Sequence, residues 1–368
     1  MSSGEVREQK SATVGVTAGD KRQDRVPRPF HVAVVGATGV VGRETLSILH
    51  ERRFPIASIR CFASERSKGE HVKLGDDEVG LEVLSPTSFD GVELVFFAAG
   101  GKISKEYAPI AARAGAVSID KSSVFRLDPD VPLVVPEVNG EAIGGFTKKR
   151  VLATPNCSTI QLVQVLAPLH RKATLERVVC ATYQAVSGAG RGGIDELDQQ
   201  VRDIFNFREP KIEVFSQRIA FNALPCIPGH KAFDDDGNSQ EEAKMVEETR
   251  KILGEPALRV GVTCVRVPVF HSHSEAVHLE FANPISPDEV KELLAAEPNV
   301  LVVDDPKRDL YPSALDAAGQ DQTLVGRVRK DPSGKNGIAL WVVSDNLRTG
   351  AALNAVRIAE RLCIDHLK

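Results

Sequence analysis

Between residues 30 and about 155, short β-branched runs alternate with stretches whose apolar positions recur every three or four residues. "HVAVVG", "SIRCFA", "VELVFFAAG", "AVSID" and "LVVPEV" read as strands, and "RETLSILHERR" and "SKEYAPIAARAG" as helices. That alternation predicts βαβ units around a parallel sheet. Past Cys157 the pattern changes to longer strand-like runs, "RVVCATYQAVS", "RVGVTCVRVPVF" and "EAVHLEFA", with fewer helices between them. A mixed or antiparallel α+β unit is expected there. The last segment, "IALWVVSDNLRTGAALNAVRIAERLCIDHL", predicts a strand, a loop and a final amphipathic helix. Residues 1–28 have few large apolar side chains and no periodicity, which predicts a mobile tail.

Length and composition narrow the class. A chain of 368 residues is long for one hydrophobic core and suggests two domains. A net charge of −4 offers no large basic face, so nucleic acid is not an expected partner. No run approaches the roughly 20 apolar residues of a membrane span. The tail lacks the apolar stretch of a signal peptide, and its acidic residues argue against a transit peptide. Six scattered cysteines without a C-x-x-C pair fit the reduced thiols of a cytoplasmic enzyme.

"VAVVGATGVVGRETL" places Gly36, Gly39 and Gly42, with Thr38, Val40 and Val41 between and beside them, after a strand and before a helix. Glycines allow a tight turn, and a helix N-terminus offers N–H groups and positive potential to a pyrophosphate. The spacing is G-x-x-G-x-x-G, so the strand and helix on either side carry the reading of a nucleotide site. After the second strand, "CFASERSKG" offers Ser64, Arg66 and Ser67 to a 2′-phosphate, which favours NADP; Glu65 points the other way, toward NAD.

Cys157 in "TPNCST" follows a strand-breaking Thr154-Pro155, and Leu162, Val165, Leu166 and Leu169 then recur at helical spacing. A thiol at a helix N-terminus is expected to have a lowered pKa, which suits a nucleophile; a small core residue is the alternative. The other five cysteines read as core. In "RVPVFHSHSEAV", period-2 geometry puts Arg266 on the strand face opposite His271 and His273, unless a bulge brings them together. The two histidines lack a third ligand for zinc, and "DDDGNSQEE" lacks the spacing of a calcium loop, so no metal is expected. "SQEEAK" predicts a helix capped by Ser239 and Glu242, with Glu241 and Lys244 on one face. "SGAGRGG" is either a plain loop or a close approach to cofactor.

Taken in order, "GATGVVG", "KSSVFR", "VVPEVN", "TPNCST", "YQAVSGAGRGG", "EEAK", "RVPVFHSHSE" and "DNLRTGAALNAV" resemble the aspartate-β-semialdehyde dehydrogenase family from Phe30 to the last helix. The resemblance implies a Rossmann-type NADP-binding domain (residues 29–155), a mixed-sheet catalytic and dimerisation domain (156–346) and a C-terminal helix returning to the first (347–368). It implies a homodimer that makes L-aspartate 4-semialdehyde from L-4-aspartyl phosphate, in lysine, threonine, methionine and diaminopimelate biosynthesis. Cys157 matches the family's nucleophile, Gln184 the glutamine that orients the reacting group, and His273 the general acid/base, for which a pKa near neutrality is expected. Arg266 matches the grip on the substrate carboxylate and Glu241 the partner of its amino group. Arg126, Asn156 and Lys244 match the phosphate site. Ser187, Gly188, Asn346 and Gly350 are similar to nicotinamide contacts, and Gly100 and Gly101 to a second cofactor loop. One departure stands out: Ser272 occupies a position where the family usually has Gly, and His271 is an additional histidine.

Overall fold

The computed structural model describes residues 26–229 and 232–367, so most of the expected tail lies outside the described residues. Of that tail, Arg28 is held by Glu93 at 2.6 Å and lies over the Phe30 ring.

The first sheet contains β1 (Phe30–Val35), β2 (Ile56–Ala63), β3 (His71–Leu74), β4 (Asp77–Val83), β5 (Leu94–Phe97), β6 (Val117–Asp120) and β7 (Val151–Ala153). Its order is β3-β4-β2-β1-β5-β6-β7, and every pairing is parallel except β3 with β4. Helices α1 (Val40–Glu51) and α2 (Gly101–Arg113) follow β1 and β5. The chain winds outward from β1 on one side and from β5 on the other, so a crevice opens beyond the carboxyl ends of these two strands. "LVVPEV" is not a strand. Leu133 makes one bridge to Ala153, and then Pro136, with its fixed φ and missing N–H, starts the short helix α3 (Pro136–Asn139).

Helix α4 (Cys157–Ala173) is buried on nearly all sides because it serves two cores. Ile160 and Val163 pack with the first sheet, whereas Leu162, Val165, Leu166 and Leu169 pack with the second. The second sheet is built from β8 (Leu175–Gln184), β9 (Arg259–Arg266), β10 (His273–Phe281), β11 (Val300–Val302), β12 (Thr323–Asp331) and β13 (Gly337–Ser344), in the order β11-β12-β13-β10-β8-β9. Two pairings are parallel and three antiparallel, so the sheet is mixed, as the long strands suggest. Between β8 and β9 lie α5 (Arg191–Phe205) and α6 (Gln240–Leu253); α7 (Pro287–Ala295) and α8 (Ala314–Ala317) follow later. "SGAGRGG" is therefore a turn that runs straight into α5, a helix the glycines mask in the sequence.

After β13, a π-helical turn (Arg348–Ala352) leads into α9 (Leu353–Asp365). Leu353, Val356, Ile358, Ala359 and Leu362 share one buried cluster with Phe30, Val32 and Leu46. Arg52 at the end of α1 makes two bonds to Glu360, at 2.7 and 2.9 Å, with both residues buried. Breaking such a pair removes two charge-assisted bonds from a buried site. Glu360→Ala is expected to cost about 3–5 kcal/mol in urea unfolding. A loss below about 1 kcal/mol, typical of an exposed pair, would show that apolar packing alone holds α9.

Candidate active site

The site begins where α4 begins. Asn156 caps the helix, its Oδ1 accepting from Ser158 N–H at 2.9 Å, and Cys157 is the first helical residue. Helix α6 lies alongside, stopped at one end by the expected Ser239–Glu242 capping box and at the other by a left-handed Gly254. Its inward stripe at i, i+3, i+7 and i+10 is Glu241, Lys244, Glu248 and Lys251. Glu241 accepts from Asn156 Nδ2 at 2.7 Å and lies 3.6 Å from Lys244. Buried Glu248 accepts from Arg126 Nη1 at 2.9 Å and from Asn156 N–H at 2.6 Å. Lys251 Nζ donates to the carbonyls of Arg126, Asp128 and Val131, at 2.8, 2.8 and 3.0 Å, fixing the loop that carries Arg126. Arg126, Asn156, Glu241 and Lys244 thus come together. The amide of Asn156, however, is engaged in holding α4 to α6.

A second group is organised by the backbone of one residue, Ala185. Ala185 N–H donates to His273 Nδ1 at 3.0 Å, and Ala185 C=O accepts from Arg266 Nη1 at 2.7 Å. Gln184 sits directly opposite Arg266 in the parallel β8–β9 register and donates from Nε2 to Thr182 Oγ1 at 3.3 Å. No bulge brings Arg266 to the histidine face. Residues 267–272 instead carry the chain from β9 across to β10, on the other side of β8, so Arg266 and His273 converge from two strands. His273 is fully buried and its Nε2 meets no hydrogen-bond partner among the described residues, whereas His271 is exposed. Ser272 between them has φ of +73°, a left-handed conformation that explains why glycine suits this position; its N–H donates to Asn346 Oδ1 at 2.9 Å. Asn346 also bonds Ser187. A Cβ on Gly188 would lie 2.7 Å from Arg266 Nη1, and one on Gly350 would lie 2.9 Å from Cys157 Cβ, so these loops close tightly over the reactive groups.

Electrostatics corrects two expectations. The Cys157 thiol is pushed up to about 11, first by burial and then by Glu241, against the opposing pull of Arg266, Arg126 and Lys121. With that rise the thiol is protonated at neutral pH in the ligand-free site. His273 is held down at about 3 by burial and by Arg266, not near neutrality. Because Nδ1 accepts from Ala185, the neutral ring carries its proton on Nε2, facing the site. Two positions behind His273, Glu275 is fully buried, and burial raises its pKa well above the usual carboxylate range against a weaker opposing effect of Gln161. The sequence reading missed Lys121, Ala185, Glu248, Lys251 and Glu275. Extending the Glu241–Lys244 helical spacing would have reached Glu248 and Lys251.

The nucleotide features face the crevice between β1 and β5. Gly36 has φ of +84°, and a Cβ there would come within 2.8 Å of the Ala98 carbonyl; a Cβ on Gly42 would come within 2.2 Å of Gly36 O. Gly39 precedes α1 with no side-chain cap, which leaves its first N–H groups to a ligand. Thr38, Val40 and Val41 lie in the same turn, and Gly100 and Gly101 start α2 beside it. Ser64, Arg66 and Ser67 form a turn just after β2, with Ser64 and Arg66 exposed, while Glu65 is drawn to Lys68 at 3.4 Å.

Residues 31–146 match the family model described as semialdehyde dehydrogenase, NAD binding domain, and residues 166–349 match the one described as semialdehyde dehydrogenase, dimerisation domain. An aspartate-semialdehyde dehydrogenase of Aquifex aeolicus is 49% identical over 335 residues, covering 90% of this chain and 98% of that relative. The crystal structure of aspartate semialdehyde dehydrogenase II from Vibrio cholerae, complexed with ASA, is 46% identical with a TM-score of 0.89, covering 92% of this chain and 99% of that one. The aspartate semialdehyde dehydrogenase of Candida albicans, solved with NADP, is 25% identical with a TM-score of 0.71, covering 92% and 100%.

In the ligand-free protein, alkylation of Cys157 by iodoacetamide, followed by peptide mass spectrometry, is expected to be slow at pH 7 and still rising past pH 9. A midpoint below about pH 8 would show that the head of α4 outweighs burial. Ser272→Gly relieves left-handed backbone and is expected to raise stability by about 1 kcal/mol in urea unfolding. An unchanged or lower stability would show that the left-handed backbone carries no net strain there, since the N–H bond to Asn346 is retained in the variant.

Proposed function

The chain belongs to the aspartate-semialdehyde dehydrogenase family, and from that premise we propose that it converts L-4-aspartyl phosphate to L-aspartate 4-semialdehyde through a thioester on Cys157. The observation that carries this reading is Cys157 at the head of α4, with Arg266, Arg126 and Glu241 all acting on its sulfur. Arg266 is placed to hold the substrate α-carboxylate and Glu241 its ammonium group, each a charge-assisted contact. The acyl carbon then meets the sulfur, and Arg126 and Lys244 face the phosphate.

As the sulfur–carbon bond forms, the carbon–oxygen bond to phosphate breaks, and the thiol proton leaves with the phosphate. A proton-bearing thiol at rest is consistent with this balance. Gln184, in register with Arg266, orients the carbonyl that becomes the thioester. When bound, NADPH would supply the hydride that reduces this thioester. The Nε2–H of His273 is a hydrogen-bond donor for the oxygen that gains negative charge; as that oxygen re-forms the carbonyl of the aldehyde, the sulfur leaves as thiolate and a solvent proton restores the Cys157 thiol.

The residues present fit the dinucleotide: the uncapped start of α1 and the glycine cradle suit its pyrophosphate, and Ser64, Arg66 and Ser67 suit a 2′-phosphate. Ser187, Gly188, Asn346 and Gly350 close the nicotinamide end. The domain limits of 29–155, 156–346 and 347–368 belong to the same proposal, as does a cytoplasmic location, where Cys157 stays reduced. So does a homodimer. The second-sheet face turned away from α4 carries Tyr183 and Trp341, whose rings are tilted at 45° with centroids 5.4 Å apart, and Tyr183 is exposed.

With L-aspartate 4-semialdehyde and NADP, the purified protein is expected to raise absorbance at the NADPH band only when inorganic phosphate is added. Cys157→Ala should abolish turnover while NADP still binds. His273→Ala is expected to lower kcat about 10²–10⁴-fold, and His271→Ala to leave it within a factor of two or so. Phosphate-independent turnover, or equal losses in the two histidine variants, would count against this assignment.

A further inference from the structure

Resting on that reading, we propose that Lys121 is a phosphate-binding residue of this site and supplies the positive charge that the leaving phosphate requires. The backbone places it there. Lys121 follows β6, where its N–H donates to Phe97 O at 3.2 Å and its own carbonyl accepts from Arg126 Nη2 at 2.9 Å. The residue before it accepts from Thr154 N–H at 2.8 Å, three positions ahead of Cys157. Lys121 is half-buried, and its charge is felt by the Cys157 sulfur and by Arg126.

The charge balance gives it a task. Arg126 already faces the buried carboxylate of Glu248, and Lys244 that of Glu241. Arg266 is assigned to the substrate carboxylate and Glu241 to its ammonium group. What remains for a dianionic phosphate is two cations, each shared with an internal carboxylate. Asp120 does not claim Lys121 in the same way, since its carboxylate accepts from Ser122 N–H and Oγ at 3.2 and 2.7 Å. The ammonium of Lys121 has no hydrogen-bonded carboxylate among the described residues. Burial and Arg126 hold its pKa down at about 7, a cost that an arriving dianion would relieve.

The test uses the full chain with Lys121→Met and Lys121→Arg. In the phosphorylating direction, Lys121→Met is expected to raise KM for inorganic phosphate about tenfold or more, the loss of one charge-assisted contact. KM for the semialdehyde should stay within about twofold, and Lys121→Arg should recover most of the phosphate affinity. A second measurement needs no turnover: the concentration of inorganic phosphate that half-protects Cys157 from iodoacetamide should rise in parallel in Lys121→Met. Unchanged phosphate KM and protection would overturn the proposal, as would an equal rise in both KM values, which marks a merely structural residue. If the wild-type protein lacks phosphate-dependent turnover, the functional reading fails by itself, and the protection measurement still decides the role of Lys121.

Discussion

The site depends on one buried carboxylate. Glu248 lies on α6 with almost no exposure, and an ionised carboxylate in that position is unfavourable unless strong donors surround it. Its donors come from two other places, the Arg126 guanidinium on the loop after β6 and the N–H of Asn156 at the head of α4. Satisfying Glu248 therefore fixes three elements relative to one another, and Cys157 is the next residue along the chain. Lys251, one helical turn further, secures the loop carrying Arg126 through three carbonyls, so the arrangement is over-determined.

The opposite wall is fixed by backbone instead of charge. The backbone of a single residue, Ala185, holds His273 through its N–H and Arg266 through its carbonyl. That geometry sets the chemistry of the histidine. A ring whose Nδ1 must accept cannot become a cation without losing this bond, and the neighbouring guanidinium opposes a second positive charge. The resting site thus keeps a neutral imidazole and a protonated thiol.

What could be read from the sequence follows from how local each signal is. Cys157 at a helix start, the Ser239–Glu242 cap and the glycine turn after β1 depend on residues a few positions apart, and each has the expected form. The approach of Arg266 to His273 depends on β8 lying between β9 and β10, a sheet order that alternation along one segment does not contain. "LVVPEV" has strand composition, but its proline ends the extended segment, and Asn139 bonds back to Val135 and Leu133. The proton positions on Cys157 and His273 were illegible for another reason. Burial is the largest cause of the raised thiol and of the lowered imidazole, and burial is a property of the assembled fold.

The two halves of the molecule meet again at the turn before α9. Arg348 is bonded there to Glu44 and Glu51 on α1 and to Asp321 ahead of β12, at 2.8, 2.6 and 2.8 Å. Two residues later Gly350 lies so close to Cys157 that no side chain fits between them. A π-helical turn holds one more residue than an α-helical turn of the same height, and such turns concentrate at functional sites. Here the additional residue allows the chain to satisfy both demands, keeping Arg348 on the nucleotide-binding half while Gly350 touches the cysteine. Helix α1, which follows the glycine turn, and Cys157 at the head of α4 are thereby linked through three residues of backbone, Arg348 to Gly350.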